Sequence, residues 1–345
     1  MEPGKELDTA KMYRVAADKF ILNITFAWEH AVAITDNNDA GKLVSHRFPQ
    51  FSFNPKLKPH FFKYLMLDKK FREHLELSSP GGAGRNRVLK ISDMLKYEIK
   101  LPSIEEQIKI GEYFDSLDYL ITLHQRKCEQ TKNLKKYMLQ KMFPQNGAKV
   151  PEIRFNGFTH DWEQRKLGDL VDRVTRKNQD LVSELPLTIS AQYGLIDQNE
   201  FFDKRVASKD VSGYYLIENG EFAYNKSTST DAPWGAIKRL DRYENGVLST
   251  LYIVFGIKEN NPVDSDFLVS YYSTNLWHKG IHEIAAEGAR NHGLLNIAPA
   301  DFFETRLMIP QDIEEQKKIG KYFIELEALI TLHQRQHKLH LNMLL

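Results

Sequence analysis

The amino-acid sequence predicts an α+β protein made of two tandem modules, each a mixture of helices and strands and each followed by a long helix. Residues 104–126 read IEEQIKIGEYFDSLDYLITLHQR and residues 313–335 read IEEQKKIGKYFIELEALITLHQR, with 17 of 23 positions identical at a constant offset of 209. Two copies at so long a spacing indicate a duplicated unit rather than a solenoid. Strand signals lie at 187–190 (LTIS) and 246–256 (GVLSTLYIVFG), which are rich in β-branched and aromatic residues.

Each repeated segment is predicted to form a long amphipathic helix. A proline precedes it and two glutamates fall in its first turn, where they suit the helix dipole. Apolar residues then recur at spacings of four, three and four, as in a heptad seam. These residues are Ile110, Phe114, Leu117 and Ile121 in the first copy, and Ile319, Phe323, Leu326 and Ile330 in the second. The first helix, 103–143, would be roughly 60 Å long. We expect the two seams to pack side by side as a coiled coil; the alternative is that each helix docks separately on its own module.

Histidines interrupt the apolar seams. His124 and His333 occupy the same position in the two copies, and Cys128, His337 and His340 lie nearby. His333 and His337 have the i, i+4 spacing of two metal ligands on one helix face. No acidic ligand or CxxC pair accompanies them. We therefore predict a polar layer that sets the register of the helices, and no metal site.

Composition restricts the class of protein. A chain of 345 residues suits about two domains, and a net charge of +1 means that any basic surface is local. The single cysteine excludes a disulfide within the chain and suits a reducing compartment. The polar N-terminus does not resemble a signal peptide, and no apolar run is long enough to span a membrane. We expect a cytoplasmic protein without a membrane partner.

Motifs for catalysis are absent from the sequence. It contains no GxxxxGK[ST] phosphate loop and no N/D-P-P-aromatic run of the kind found in adenine methyltransferases. Asp93 with Glu98, and Asp301 with Glu304, have no accompanying lysine that would complete a nuclease site. We predict that this chain is not an enzyme.

With these motifs the chain resembles the DNA-specificity subunits of type I restriction–modification enzymes. Residues 150–170 (VPEIRFNGFTHDWEQRKLGDL) are similar to the opening of a target-recognition domain in that family. The two repeated segments, and KKYMLQKMFP at 135–144, resemble its conserved helical regions. The resemblance implies two target-recognition domains separated by an antiparallel pair of coiled-coil helices. The expected boundaries are a partial first domain at 1–102, a central helix at 103–144, a second domain at 145–310 and a C-terminal helix at 311–345.

The resemblance also implies a function. Each domain would read one half of a bipartite site in double-stranded DNA, and the helices would set the distance between the halves. The chain would dock two methylation subunits, which carry adenine-N6 chemistry with S-adenosylmethionine, and through them the restriction translocase–nuclease subunits. The chain itself would bind no cofactor.

The sequence departs from the family in its first module. The opening segment PEIRFNGF…WEQRKLGDL occurs once, before the second module. Aligning Tyr13 with Tyr215 leaves the first module without a counterpart of residues 151–202. We therefore expect an N-terminally incomplete first domain. The alternative function is a truncated or silent subunit that acts as an assembly scaffold, a decoy or a recombination cassette. A lone transcription-factor-like binder is disfavoured by the near-zero net charge and the lack of a helix-turn-helix signature.

Candidate DNA contacts follow from side-chain chemistry. Lysine and arginine bind phosphates, whereas arginine, asparagine and glutamine read base edges. Both modules place Arg-Asn directly after a segment containing glycine, and a hydroxyl-rich run follows a predicted strand at 225–230. The predicted DNA-binding residues are Arg290, Asn291, His292, Lys226, Ser227, Thr228, Arg85, Asn86, Arg87, Lys204, Arg205 and Gln192. The alternative is that these residues cap neighbouring segments or form ordinary solvated loops. The neighbouring pair Lys238-Arg239 is a further candidate for phosphate contact, or a random exposed pair.

Overall fold

The computed structural model of the chain describes residues 12–81, 87–190, 193–230, 232–259, 263–285, 290–291 and 294–344. The chain divides into two compact units, Met1–Arg126 with Gln334–Leu345, and Lys127–His333. Helices and strands are mixed in both units, which confirms the predicted α+β class. No helix in the described ranges is long and apolar enough to cross a membrane.

The first unit contains a small mixed module followed by the start of a long helix. Its elements are β1 (Met12–Arg14), β2 (Lys19–Leu22), a 3-10 helix (Ala27–Glu29), β3 (Val32–Ile34), β4 (Leu43–Ser45), β5 (Gln50–Ser52), α1 (Pro59–Leu65), α2 (Lys69–Leu77), α3 (Ile91–Met94) and α4 (Ile104–Lys141). Strand β2 pairs antiparallel with β3 on one side and β5 on the other, and β1 pairs antiparallel with β4. We call residues 12–102 the first module. Aromatic rings form much of its core: Phe20 of β2 packs edge-on against Phe62 and Phe71.

The second unit contains a larger module of the same kind (residues 145–310). The elements of this module are β6 (Glu163–Lys166), α5 (Leu167–Leu170), β7 (Val171–Val174), β8 (Leu187–Ser190), β9 (Gly194–Asp197), α6 (Gln198–Phe202), β10 (Tyr215–Glu218), β11 (Phe222–Asn225), β12 (Ala236–Arg239), β13 (Asn245–Leu248), β14 (Ile253–Ile257), α7 (Ser265–Tyr271), α8 (Leu276–Ile284), β15 (Arg290–Asn291), β16 (Leu294–Leu295), α9 (Pro299–Glu304) and β17 (Arg306–Ile309). Helix α10 (Ile313–Leu344) follows the module and begins in this unit.

The sheets of the second module are antiparallel. The largest has the strand order β12–β11–β14–β7, and two-stranded ribbons are formed by β10 with β13, β8 with β9, β6 with β17, and β15 with β16. Phe222 and Phe255 face each other across β11 and β14 and stack at 5.3 Å between ring centroids. A single large core joins this sheet to α5, α7, α8 and α9.

The two modules repeat one topology from β10 onward. Strands β1 to β5 and helices α1 and α2 follow the same order and pairing as β10 to β14, α7 and α8. Tyr13 and Tyr215 lie on the corresponding strands β1 and β10, as the sequence alignment predicted. Phe20 and Phe51 are cross-strand partners as Phe222 and Phe255 are. Within the described part of the first module, no strand corresponds to β6, β7, β8 or β9.

A glycine allows each long helix to approach its own module closely. A Cβ on Gly111 would lie 3.0 Å from the Cβ of His60 in α1, and one on Gly320 would lie 2.6 Å from the backbone nitrogen of Phe267 in α7. The two glycines are 209 residues apart, so the joint between module and helix is duplicated with the sequence repeat. Alanine at position 320 would force the helix or α7 to shift, whereas alanine at position 111 would crowd His60 more mildly.

The predicted seams have two kinds of neighbour. In the second unit, α4 and α10 run antiparallel, because Lys135 forms an ion pair with Glu327 while Phe143, just beyond α4, lies 6.0 Å from Phe323. The seam residues of α10 are all buried, and Ile319, Phe323 and Leu326 also belong to the core of the second module. In this unit α10 therefore pairs with α4, as expected, and also docks on the second module, which was the alternative.

The seam of α4 in the first unit is less buried. Leu117 is buried, whereas Ile110, Phe114 and Ile121 are half-buried. Phe114 stacks on Tyr64 of α1 at 4.7 Å.

In the first unit, two histidines of the predicted polar layer contact each other, one from α4 and one from α10. The rings of His124 and His340 stack at 5.4 Å. Nowhere in the described residues do three or more histidine, cysteine or acidic side chains group so as to hold a metal ion.

Candidate nucleic-acid interface

Two of the predicted contact segments, more than sixty residues apart in sequence, lie side by side in the second module. Strand β16 pairs with β15, with Arg290 opposite Leu295 and Asn291 opposite Leu294. On its other side, Leu294 forms an antiparallel bridge with Ser227, and the Leu295 N–H donates to the Lys226 carbonyl at 3.0 Å. The structure thus brings the run after β11 and the Arg-Asn pair onto three adjacent backbone segments.

The run after β11 is held in place by its first residue. The Asn225 side-chain oxygen accepts from the Ser227 N–H at 2.9 Å, and its amide nitrogen donates to the Tyr252 hydroxyl at 3.3 Å. Ser227 is exposed, while Lys226 and Thr228 are half-buried. A segment fixed in this way loses little conformational freedom when it binds a ligand.

Lys226 has a basic neighbour, Arg173. Burial lowers the pKa of the Lys226 ammonium, and the neighbouring guanidinium of Arg173 lowers that pKa further. Arg173 is exposed on β7, which pairs with β14. Two cations close enough to influence each other attract phosphate oxygens, so Lys226 and Arg173 form a local basic pair on a chain of net charge +1.

Arg173 was not among the predicted contacts. The signal that could have found it is the run DRVTRK at 172–177, with three basic residues in six. Its proximity to Lys226 depends on the pairing of β7 with β14, which one sequence does not reveal.

Other predicted contacts have roles in their own loops. The Arg205 guanidinium donates to the carbonyl of Ser208 at 2.9 Å and to that of Lys209 at 3.3 Å, so it ties together the loop after α6. Lys204, beside it, is exposed. Arg87 donates to the carbonyls of Ser79 and Glu76, both at 3.0 Å, at the C-terminal end of α2. These two arginines therefore have structural partners, and their contact with DNA stays a prediction.

The pair Lys238-Arg239 is not an exposed basic pair. Arg239 is bound by Asp241 and Asp266, at 2.6 and 2.7 Å, and burial lowers the pKa of Lys238. Arg85, Asn86, Gln192 and His292, all predicted contacts, lie outside the described residues.

Comparison with known proteins finds a family model that matches the first part of the chain. Residues 5–133 match the model of the type I restriction modification DNA specificity domain. No curated protein matches the chain in sequence.

Two solved structures resemble the chain along most of its length. The type I restriction-modification S subunit from M. genitalium has a TM-score of 0.56 at 12% identity, over 96% of this chain and 82% of that one. The HsdS subunit from Thermoanaerobacter tengcongensis has a TM-score of 0.47 at 15% identity, over 99% and 83%. The first of these likenesses shows that the fold, with its long helices, is shared.

Proposed function

Because residues 5–133 match the model of the type I restriction modification DNA specificity domain, we propose that this chain is the sequence-reading subunit of such a system. It binds a bipartite target in double-stranded DNA and docks two methylation subunits, which use S-adenosylmethionine to methylate adenine at N6. Restriction translocase–nuclease subunits join through them. The chain itself binds no cofactor and catalyses no step, and it acts in the cytoplasm, where its DNA lies.

The observation that carries DNA reading by the second module is the adjacency of Lys226–Thr228 and Arg290–Asn291. Lys226 and Arg173 supply positive charge for phosphates, which gives affinity without sequence preference. Arg290 and Asn291 are the residue types that bind base edges in a two-pronged manner, and they lie two strands away from Lys226. Adjacent backbone segments thus carry residue types for positioning and residue types for reading.

We propose that the methylation subunits dock on the long helices α4 and α10. Both helices carry exposed apolar side chains away from the buried seam, among them Tyr119 of α4 and Leu329 and Leu332 of α10. Apolar surface on a helix pair is suited to burial by a protein partner.

The test is co-expression of the chain with its methylation subunit, followed by long-read mapping of methylated adenines in the host genome. The proposal expects a split, asymmetric motif, with one half read by each module. A palindromic motif would mean that two copies read DNA through the second module. A methylated motif that is unchanged when this chain is omitted would contradict the proposal.

A second candidate function is an assembly scaffold or decoy that docks methylation subunits but reads no complete site. It is favoured by the first module, where the predicted contact Arg87 already donates to the carbonyls of Ser79 and Glu76. An intact complex with no methylated motif would support this function and reject the first.

A further inference from the structure

The turn that opens the segment Lys226–Thr228 in the second module is repeated in the first module. Asn23 directly follows β2, and Asn225, at the offset of 202, is the last residue of β11. The Asn23 side-chain oxygen accepts from the Thr25 N–H at 3.0 Å. The Asn225 side-chain oxygen accepts from the Ser227 N–H at 2.9 Å. Both loops therefore begin with the same turn, closed by an asparagine side chain.

A backbone contact beside this turn is also repeated. In the first module, the Leu89 N–H donates to the Ile24 carbonyl at 2.8 Å. In the second module, the Leu295 N–H donates to the Lys226 carbonyl at 3.0 Å. The backbone arrangement of the candidate interface is therefore present in both modules, with Ile24 at the position of Lys226.

The first module carries different side chains at these positions. Residues 24–26 read Ile-Thr-Phe, where residues 226–228 read Lys-Ser-Thr. The Phe26 side chain is 43% exposed. Its backbone is fixed, because the Phe26 N–H donates to the Asn23 carbonyl at 3.0 Å and its carbonyl accepts from the Ala31 N–H at 3.1 Å. The loop thus presents an aromatic ring to solvent at little further cost in conformational entropy when a ligand binds.

Two arginines lie beside this loop. The Ile24 N–H donates to the Arg47 carbonyl at 3.0 Å, and the Arg47 side chain is exposed. The Arg87 guanidinium lies 5.2 Å from the ring centroid of Trp28 and is hydrogen-bonded within its own module. Arginine attracts phosphate oxygens whatever the base sequence, whereas phenylalanine makes apolar contact with the C5 methyl group of thymine.

We propose that Phe26 reads a thymine in the half-site bound by the first module, and that Arg47 binds a neighbouring phosphate. Single exposed apolar residues are common on protein surfaces. Phe26 differs from them because it occupies the position of Thr228 in a repeated backbone arrangement, with a cation beside it. The proposal rests on the proposed function, and it gives the two modules different means of reading: an apolar contact in the first, and charged and hydroxyl groups in the second.

The test uses the intact chain in complex with its methylation subunit, and duplexes that carry the motif found by methylation mapping. Phe26→Ala should bind the motif about fivefold more weakly, because one base contact is lost. Each thymine of the motif is then replaced in turn by deoxyuridine, which lacks the C5 methyl group. At one position this replacement should weaken wild-type binding roughly threefold. It should not weaken binding by Phe26→Ala further, because the contact is already absent.

The matched control is Leu95→Ala, which removes another exposed apolar side chain of the first module, 65% exposed, and should bind as the wild type does. Phe26→Leu keeps an apolar side chain and should retain most of the affinity. Arg47→Ala should weaken binding to all duplexes alike and reduce the dependence of binding on salt. Circular dichroism and thermal unfolding of all four variants check that the fold is retained.

The proposal is overturned if Phe26→Ala binds the motif as tightly as the wild type, or if deoxyuridine weakens binding by both proteins equally. Equal weakening of Phe26→Ala on every duplex also overturns it, because the ring would then act as a wedge between base steps and not as a reader. Failure of the proposed function gives a different result, a wild-type complex that shows no sequence-dependent binding, and this proposal would then fall with it.

Discussion

Gln107 and Gln316, 209 residues apart, make the same two hydrogen bonds in their respective modules. The Gln107 Nε2 donates to the Pro102 carbonyl at 3.0 Å, and its Oε1 accepts from the Lys58 N–H at 2.9 Å. The Gln316 Nε2 donates to the Pro310 carbonyl at 2.8 Å, and its Oε1 accepts from the Asp264 N–H at 2.8 Å. Lys58 and Asp264 are the N-cap residues of α1 and α7. Each glutamine therefore ties the start of a long helix to the start of a helix in its own module.

Removing one of these amides is expected to destabilise the chain. Gln316 is fully buried, so Gln316→Ala leaves the Asp264 N–H and the Pro310 carbonyl without this partner, at a cost of about 1–3 kcal/mol. The free energy of unfolding from chemical denaturation measures the effect. Gln125→Ala on the exposed face of α4 is the control, and equal stabilities of the two variants would contradict the assigned role.

A buried ion pair joins α10 to the segment before β6. The Arg154 guanidinium donates to both carboxylate oxygens of Glu315, at 2.7 and 2.8 Å, and the Trp162 indole N–H donates to the same carboxylate at 3.3 Å. Glu315 is 1% exposed, so Arg154→Ala leaves a buried charge without its main partner and should cost about 3–5 kcal/mol.

The control for this prediction is Lys317→Ala, which breaks the surface pair with Glu314 and should cost about 0–1 kcal/mol. Denaturation of both variants under one set of conditions gives the comparison. If Arg154→Ala lowers the free energy of unfolding no more than Lys317→Ala does, the Glu315 carboxylate is adequately solvated without the arginine.

The contact between α1 and α4 should be sensitive to acid. Burial raises the pKa of Asp115, but hydrogen bonds from Lys63, Tyr64 and His60 outweigh burial and hold that pKa below its usual 3.8. A lowered carboxyl pKa stabilises the fold above the unfolded pKa, and the stabilisation is lost as the pH falls through the folded pKa.

The measurement is the free energy of unfolding of the wild type and Asp115→Asn as a function of pH. The difference in unfolding free energy between the two proteins should be constant above about pH 5 and shrink below about pH 4. A difference that does not change down to pH 3 would remove Asp115 from the groups that govern acid stability.

Ile330 and Leu329 are neighbours on α10 with opposite exposure. Ile330 is 5% exposed and Leu329 is 45% exposed. Ile330→Asp places a charge in the buried seam and should cost at least about 3 kcal/mol, whereas Leu329→Asp should change stability little. Thermal unfolding followed by circular dichroism compares the two, and equal melting temperatures would mean that this seam is not buried in solution.

Much of the architecture was predictable because it rests on local patterns. The heptad spacing and the paired glutamates predicted both long helices, and the 209-residue offset predicted a repeated fold that the matching strand orders now confirm. The neighbours of each seam were not predictable in the same way. Periodicity gives the apolar face of α10, but whether Phe323 meets α4, α7 or both depends on long-range packing.

The candidate interface was predictable only in part. The sequence indicates that Lys226 and Arg290 are suited to DNA, but their adjacency depends on β16 lying between them. The sequence also does not show which donors already have acceptors in the fold, so it predicts Arg87 and Arg205 as DNA contacts on the same grounds as Lys226. Their guanidinium groups are hydrogen-bonded to carbonyls of neighbouring residues in their own modules.

The central proposal is that the second module reads DNA through the adjacent backbone segments that carry Lys226 and Arg290. It is tested most directly by mapping methylated adenines in a host that expresses the methylation subunit with wild-type chain, Arg290→Ala, or the control Lys279→Ala on the exposed part of α8. The account predicts that Arg290→Ala reduces or relaxes methylation at one half of the motif, while complex assembly and the Lys279→Ala pattern stay as in the wild type. An Arg290→Ala methylation pattern identical to that of the wild type at every genomic site would contradict it.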